Sequence, residues 1–325
     1  MLVNDTRPTG APSPLSLDDM AAPLFIAWQI TSVCNMACHH CCEDSGHLMP
    51  NEMGEAAVMG LCRQIVDLGV PYTAISGGEP MLHPSFFNVC EHLRTHGVAL
   101  KVETNGEFID ERAARRFAGL GLRSVQISVD GASAATHEEL RVRGRWDDAI
   151  GAIKRLTQAG VRTEVVFVPT RFNIHETAAV IDLAFSLGVY GFYTGKLMRI
   201  GRAAANWDRL CPTEEQYAAF FRDLEAKGTE YEGRMKVYYY PYDVIEELRV
   251  RVESPSASLL VIPDGRVKLI GPLPFVCGNV ATQPLREVWD RYRRGWRLPQ
   301  VVGFVQRVIE DPTLVSRAND WIELP

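Results

Sequence analysis

The sequence predicts an α/β protein built on a parallel sheet, and three observations carry that reading. From Leu24 to about Met198, runs rich in β-branched and aromatic residues alternate with amphipathic helical stretches. The alternation repeats six times, which implies βα units and hence a parallel sheet, as a partial barrel or a doubly wound sheet. Polar, glycine-rich signals stand just after three successive strand runs, the place where such architectures gather their chemistry.

Taken in order, the strand runs are LFIAWQIT (24–31), YTAISGG (72–78), ALKVETN (99–105), SVQISVD (124–130), RTEVVFVP (162–169) and GFYTGKLM (191–198). Between them lie helical stretches such as EAAVMGLCRQIVDLG (55–69), SFFNVCEHLRTHG (85–97) and NIHETAAVIDLAFSLG (173–188). SGGEP follows the second strand, ETNG the third and SVDG the fourth. After Met198 the pattern changes to a basic, alanine-rich connector (RIGRAAANWDRL) and a helix opened by PTEEQ at 212–216. An aromatic run (VYYYPYD, 237–243) follows, then a hairpin in LLVIPDGRVKLI (259–270) turned at Pro263-Asp264-Gly265, and a helix around PLREVWDRYRRGW (284–296). The organisation expected is a flexible leader over 1–23, a barrel over 24–200 and a smaller α+β extension over 201–325.

Apolar residues make up 46% and charged residues 23% of the 325, an ordinary globular balance, and the net charge of -6 gives no electrostatic reason to expect a nucleic-acid partner. The N-terminus has no basic stretch followed by an apolar core, and no uncharged apolar run is long enough to span a bilayer. A cytoplasmic protein with no membrane partner is expected. The eight cysteines are too sparse for a disulfide scaffold, yet four crowd into positions 34–42, which points to a metal.

That crowd contains Cys34-x3-Cys38-x2-Cys41 directly after the first strand. Three thiolates at this spacing can wrap one corner of an iron-sulfur cubane and leave its fourth iron open to a ligand, whereas structural zinc and ordinary iron-sulfur sites usually recruit four protein ligands. The competing reading is a zinc knot completed by Cys42, His39 or His40.

Together, the cysteine loop, GGEP at Gly77–Pro80, TNG at Thr104–Gly106 and SVDG at Ser128–Gly131 resemble the radical S-adenosylmethionine (radical SAM) superfamily over roughly residues 24–200. The resemblance implies a partial (β/α)6 TIM-type barrel carrying one [4Fe-4S] cluster on Cys34, Cys38 and Cys41. It implies that the open iron chelates SAM, and that an electron from a low-potential donor such as flavodoxin or ferredoxin cleaves SAM to a 5'-deoxyadenosyl radical that abstracts a substrate hydrogen atom. It also implies roles for the strand-end residues. Gly77 and Gly78 would let the backbone approach the methionine end of SAM, Glu79 would accept from its ammonium, and Pro80 would stiffen the turn. Thr104, Asn105, Ser128 and Asp130 offer hydrogen bonds to ribose or carboxylate; each competes with a plain helix cap, Asp130 most of all. Of Arg141, Arg143 and Arg145, Arg141 is chosen to meet the SAM carboxylate. His40 matches the position that packs against adenine, while Cys42 stands where such loops often carry tyrosine and is read as a thiol beside the cluster. Cys62 and Cys90 lie on apolar helix faces and are expected in the core.

Residues 255–295 resemble the SPASM or twitch extension that follows many radical SAM barrels. In those relatives the hairpin carries cysteines for auxiliary clusters; only Cys211 and Cys277 lie beyond the barrel here, too few for a cysteine-held cubane. One cluster and a redox-neutral outcome are therefore expected, with Cys211, Cys277 or a tyrosine of Tyr238–Tyr240, Tyr239 at its centre, as hydrogen-atom donor if it faces the barrel mouth. The sequence favours tailoring of a small molecule (sugar, nucleoside or amino acid), since no further peptide-recognition domain fits before Leu24 or after Trp321. A ribosomally made peptide is the alternative substrate, and a non-catalytic metal-binding barrel the alternative class.

Overall fold

The computed structural model describes residues 16–325. Six strands, β1 (Phe25–Gln29), β2 (Tyr72–Ser76), β3 (Ala99–Thr104), β4 (Ser124–Ser128), β5 (Thr163–Phe167) and β6 (Gly191–Gly195), fall inside the six runs read from the sequence. Each pairs in parallel with the next. Between them run α1 (Glu55–Leu68), α2 (Phe86–Thr95), α3 (Glu111–Leu120), α4 (Ala134–Leu140), α5 (Trp146–Gln158) and α6 (Thr177–Ser186). Val58, Leu61, Cys62 and Ile65 recur at helical spacing on the buried face of α1, and Ala149, Ile150, Ile153 and Leu156 do the same on α5. Residues of β4 are buried on both faces, as a strand inside a parallel sheet must be. Cys62 and Cys90 are fully enclosed in this core.

After β6 come α7 (Gly201–Ala205), α8 (Trp207–Leu210) and α9 (Glu214–Glu230), and then β7 (Lys236–Tyr240), which adds in parallel to β6. Next, α10 (Val244–Glu253) leads to the expected hairpin, β8 (Ser258–Val261) and β9 (Arg266–Lys268). β8 pairs in parallel with β1, so the extension continues the barrel sheet from its first strand. β10 (Phe275–Asn279), α11 (Leu285–Gly295), α12 (Pro299–Glu310) and β11 (Ile322–Glu323) complete the chain. Among the described residues the sheet has eleven strands in the order β11-β10-β9-β8-β1-β2-β3-β4-β5-β6-β7. The expected α/β partial barrel with a smaller extension holds.

One expectation needs correction. Residues 1–15 of the expected flexible leader lie outside the described residues, but residues 16–23 are docked. Leu17 is buried, Ser16 caps a short 3-10 turn, Asp18 pairs with Arg297, and Trp289 donates its indole N–H to the Met20 carbonyl at 2.9 Å. The partners on and just after α11 stand far away in sequence, so nothing local announces the contact. Among the described residues no helix is long and apolar enough to cross a membrane.

Candidate metal and cofactor site

Residues 30–54, between β1 and α1, carry the cysteines and form neither helix nor strand. Their backbone is satisfied from three sides. From the end of β2, Gly78 N–H donates to the Thr31 carbonyl at 2.6 Å and Glu79 N–H to the Val33 carbonyl at 2.8 Å. At the end of α4 and just past it, the Leu140 and Val142 carbonyls accept from His39 N–H and Ala37 N–H respectively, both at 2.9 Å. From α7, Arg202 Nε donates to the Cys38 carbonyl at 3.0 Å and Ala203 N–H to the Cys41 carbonyl at 3.4 Å. So fixed, Cys34, Cys38 and Cys41 line one cavity of about 260 Å³ at the carboxyl ends of the strands.

The glycines explain the first clamp. A Cβ on Gly77 would stand 2.5 Å from the Thr31 carbonyl oxygen, and one on Gly78 would stand 2.2 Å from that of Val33. Both glycines line the cavity, and the close approach that their missing side chains permit is also one to the cysteine loop itself. Gly201 does the same work in the third clamp: at φ +57, its added Cβ would meet the Cys42 carbonyl oxygen at 2.4 Å. Sequence reasoning leaves Gly201, Arg202 and Asn206, whose Nδ2 donates to the His39 carbonyl at 3.4 Å, in a connector. The only signal for them is a Gly-Arg pair soon after the sixth strand, where earlier strands carry their functional glycines.

Glu79 is wholly buried. Its Oε1 accepts from the Thr104 hydroxyl at 2.7 Å and Met81 N–H at 3.1 Å, and its Oε2 from Asn105 N–H at 2.9 Å. Burial pushes its carboxyl up to about 7, against the pull of those hydrogen bonds. Glu79 thus ties β2 to β3 and caps the short 3-10 turn begun by Pro80. Asn105 Nδ2 reaches across to Asn35 Oδ1 at 2.9 Å, linking the third strand end to the cysteine loop. Thr104, Asn105 and Ser128 all line the cavity.

Asp130 is the second buried carboxylate, and the helix cap expected of it belongs to Ser133. Its Oδ2 accepts from Arg141 Nε at 2.7 Å and lies 3.1 Å from His40 Nε2; its Oδ1 accepts from Val168 N–H at 2.9 Å. Burial would raise this carboxyl, yet Arg141 and His40 outweigh burial and hold it below the ordinary carboxylate range. Arg141 Nη1 donates to Cys38 Sγ at 3.8 Å, whereas Arg143 and Arg145 are exposed. His40 is buried and its Nδ1 has no hydrogen-bond partner among the described residues. It lines both the cysteine cavity and a second one of about 470 Å³ that also shares Cys42 and Gln126. Cys42 points its Sγ at Glu43 Oε1, 3.6 Å away.

The second cavity is walled by Tyr193, Tyr240 and Tyr242 and floored by Lys101, whose Nζ lies 3.1 Å from Glu164 Oε2. Of the expected hydrogen-atom donors, Tyr240 lines this second cavity, whereas Tyr239, Cys277 and Cys211 do not. Tyr239 packs on Phe221 of α9, because alternation along β7 turns Tyr240, not Tyr239, toward the cavity. Cys277 is buried in β10 with its Sγ donating to the Val267 carbonyl at 3.2 Å. Cys211 lines a third cavity, beside Trp207 and Tyr217. None of them lines the cysteine cavity.

The residues present fit a cluster with a small cosubstrate. Three thiols line one space, a buried imidazole with an orphaned nitrogen borders it, and a guanidinium is aimed at one sulfur. Burial pushes the Cys34 thiol up to about 11, so metal binding there would release protons.

Comparison with known proteins agrees. Residues 28–184 match the model of the radical SAM superfamily. The mycofactocin maturase MftC of Mycolicibacterium smegmatis is 34% identical over 208 residues, 64% of this chain and 53% of the maturase, so the match spans about half of that relative. An AdoMet-dependent heme synthase of Methanosarcina barkeri is 25% identical over 289 residues, 83% of this chain and 82% of the synthase. Streptococcus suis SuiB, in a crystal structure with S-adenosylmethionine, shares the fold at a TM-score of 0.68 and 15% identity, over 85% of this chain and 68% of SuiB. Sequence likeness is concentrated on the barrel and likeness of fold runs on through the extension: residues 28–184, just under half of the chain, form a radical SAM superfamily domain.

Proposed function

We propose that the chain is a radical SAM enzyme that tailors a small molecule by hydrogen-atom abstraction. The observation that carries this reading is the single cavity onto which Cys34, Cys38, Cys41, Arg141 and the ends of β2, β3 and β4 all open. When bound, the cluster supplies the electron that cleaves S-adenosylmethionine reductively to a 5'-deoxyadenosyl radical, the species that removes the substrate hydrogen. Cys34, Cys38 and Cys41 would hold it, leaving a fourth corner free. The Ser128 hydroxyl, the Asn105 amide and the backbone of Gly77 and Gly78 would orient the cosubstrate, and His40 Nδ1 would accept from one of its donors. A low-potential flavodoxin or ferredoxin would supply the electron, and the extension, with only Cys211 and Cys277, would add no second cluster.

The substrate would enter the tyrosine-walled cavity, whose volume of about 470 Å³ suits a sugar, nucleoside, amino acid or one residue of a longer chain. That last possibility gives the second reading, radical modification of a peptide. It draws support from the likeness of fold to SuiB, which has also been solved with its precursor peptide SuiA. Anaerobic reconstitution tests the core of the proposal: about four irons with sulfide per chain and 5'-deoxyadenosine formed from SAM on reduction are expected. One zinc per chain, or no 5'-deoxyadenosine with any reductant, would turn the assignment toward a non-catalytic metal-binding barrel. Cys34→Ala should abolish both iron binding and SAM cleavage, and survival of either removes that ligand from the set.

A further inference from the structure

Arg141 is engaged by its own chain in a way the expected contact with a SAM carboxylate does not require. Its side chain is nearly enclosed, and Nε is consumed by Asp130 Oδ2 at 2.7 Å. Nη1 is thereby directed at Cys38 Sγ, 3.8 Å away. Asp130 cannot turn to release it. Its other oxygen takes Val168 N–H at 2.9 Å, its carbonyl takes Asn173 Nδ2 at 3.0 Å, and its own N–H donates to His137 Nδ1 at 3.2 Å. The result is a fixed pair of charges, its positive end against a ligand sulfur and its negative end one side chain further off.

Reduction of a cluster adds negative charge that spreads onto its sulfurs. A cation and an N–H held against one of them stabilise the reduced form more than the oxidised one, all the more where burial lowers the local dielectric. We propose that Arg141, clamped by Asp130, is a positioning residue that raises the reduction potential of the cluster through Cys38. The inference rests on the reading that Cys34, Cys38 and Cys41 hold an iron-sulfur cluster. It involves one electron taken up from an external reductant and no bond made or broken.

The test is a redox titration of the full chain, reconstituted anaerobically, poised with dithionite and mediators in the absence of SAM and followed by electron paramagnetic resonance. Iron and sulfide are counted on each sample first. Arg141→Met should lower the midpoint, since it removes the cation from beside Cys38 and leaves the Asp130 carboxylate with His40 alone against it, and Arg141→Lys should fall between it and the unaltered chain. Asp130→Asn should move the midpoint the other way, upward, because it deletes the negative end of the pair. A purely architectural role for the two residues would not give opposite signs. If Arg141→Met takes up no iron, the Lys and Asn variants still decide by sign. A midpoint that stays put, or moves the same way in both directions of substitution, with the iron content intact, overturns this inference alone. An unaltered chain that holds zinc or no iron takes down the cluster reading and this inference with it.

Discussion

The mouth of the barrel and the extension beyond β1 share one sheet but differ in what they bury. At the mouth, Glu79, Asp130, Arg141, His40, Thr104 and Asn105 are buried polar groups that bond one another or the backbone across β2, β3, β4 and the cysteine loop. In the extension the enclosed groups are large and apolar: Trp289 stacks on Tyr292 at 5.3 Å, Tyr292 meets Trp296 edge-on at 6.1 Å, and Phe275 meets Phe304 at 5.4 Å. Its enclosed cation, Lys268, is a staple, donating to the Gly271 and Ala318 carbonyls at 2.8 and 2.9 Å. Buried charge is an inefficient way to stabilise a fold, so its concentration at the mouth marks a place shaped for chemistry, held in position by a well-packed neighbour.

The sharpest way to break this contrast is a pair of glycine substitutions. Gly78→Ala forces a methyl group into the Val33 carbonyl and should displace the cysteine loop, abolishing iron uptake and costing about 3 kcal/mol. Gly271→Ala in the extension meets nothing within 4 Å and should leave iron content unchanged. Trp289→Ala should then show the reverse profile, a loss of about 3–5 kcal/mol in denaturant unfolding with iron per chain retained.

Titration separates the two regions further. Glu79 titrates near 7 in the fold and near 4.5 when unfolded, so between those values the native state keeps a proton that the unfolded chain has lost. Stability from this group therefore falls as pH rises through that window, by ~3 kcal/mol, and Glu79→Gln should erase that slope in urea melts between pH 4 and 8. Lys268 has the opposite sense: burial lowers it from 10.5 to about 8, so stability should rise as pH climbs between those values, and Lys268→Met should flatten the rise. The smallest effects belong to the residues the geometry removes from the site. Cys277→Ala and Tyr239→Phe should leave 5'-deoxyadenosine formation within about twofold of the unaltered rate; a collapse in either would place a reacting group where the structure shows packing.

How much of this is legible in the sequence follows from what is local. Six strand runs could be read because each needs only its own β-branched residues and flanking turns. Convergence of SGGEP, ETNG and SVDG could be read because parallel strands put their carboxyl ends on one side. Which face a residue takes inside VYYYPYD could not, since three consecutive tyrosines give a two-residue period no phase; the structure turns Tyr240 inward and Tyr239 onto Phe221. Arg202 on the Cys38 carbonyl, Arg141 on Asp130 and Arg297 on Asp18 depend on how distant elements dock, and no local pattern encodes that. The α10 helix opens on a capping box of Asp243 and Glu246, the same kind of signal that marks PTEEQ, and α12 opens on Pro299; both starts are legible and pass unread beside the stronger aromatic and hairpin patterns.

The pairing of β8 with β1 has a consequence for anyone who would trim or exchange the extension. Phe25 to Trp28 stand opposite Ser258 to Val261, so a chain ending near residue 200 would leave one side of its first strand without backbone partners. Such a bare rim is a template for sticking to other chains, and the isolated barrel is expected to come out of expression as aggregate, not as a smaller active unit. Grafting a foreign cap onto this barrel would first have to supply a strand for that rim.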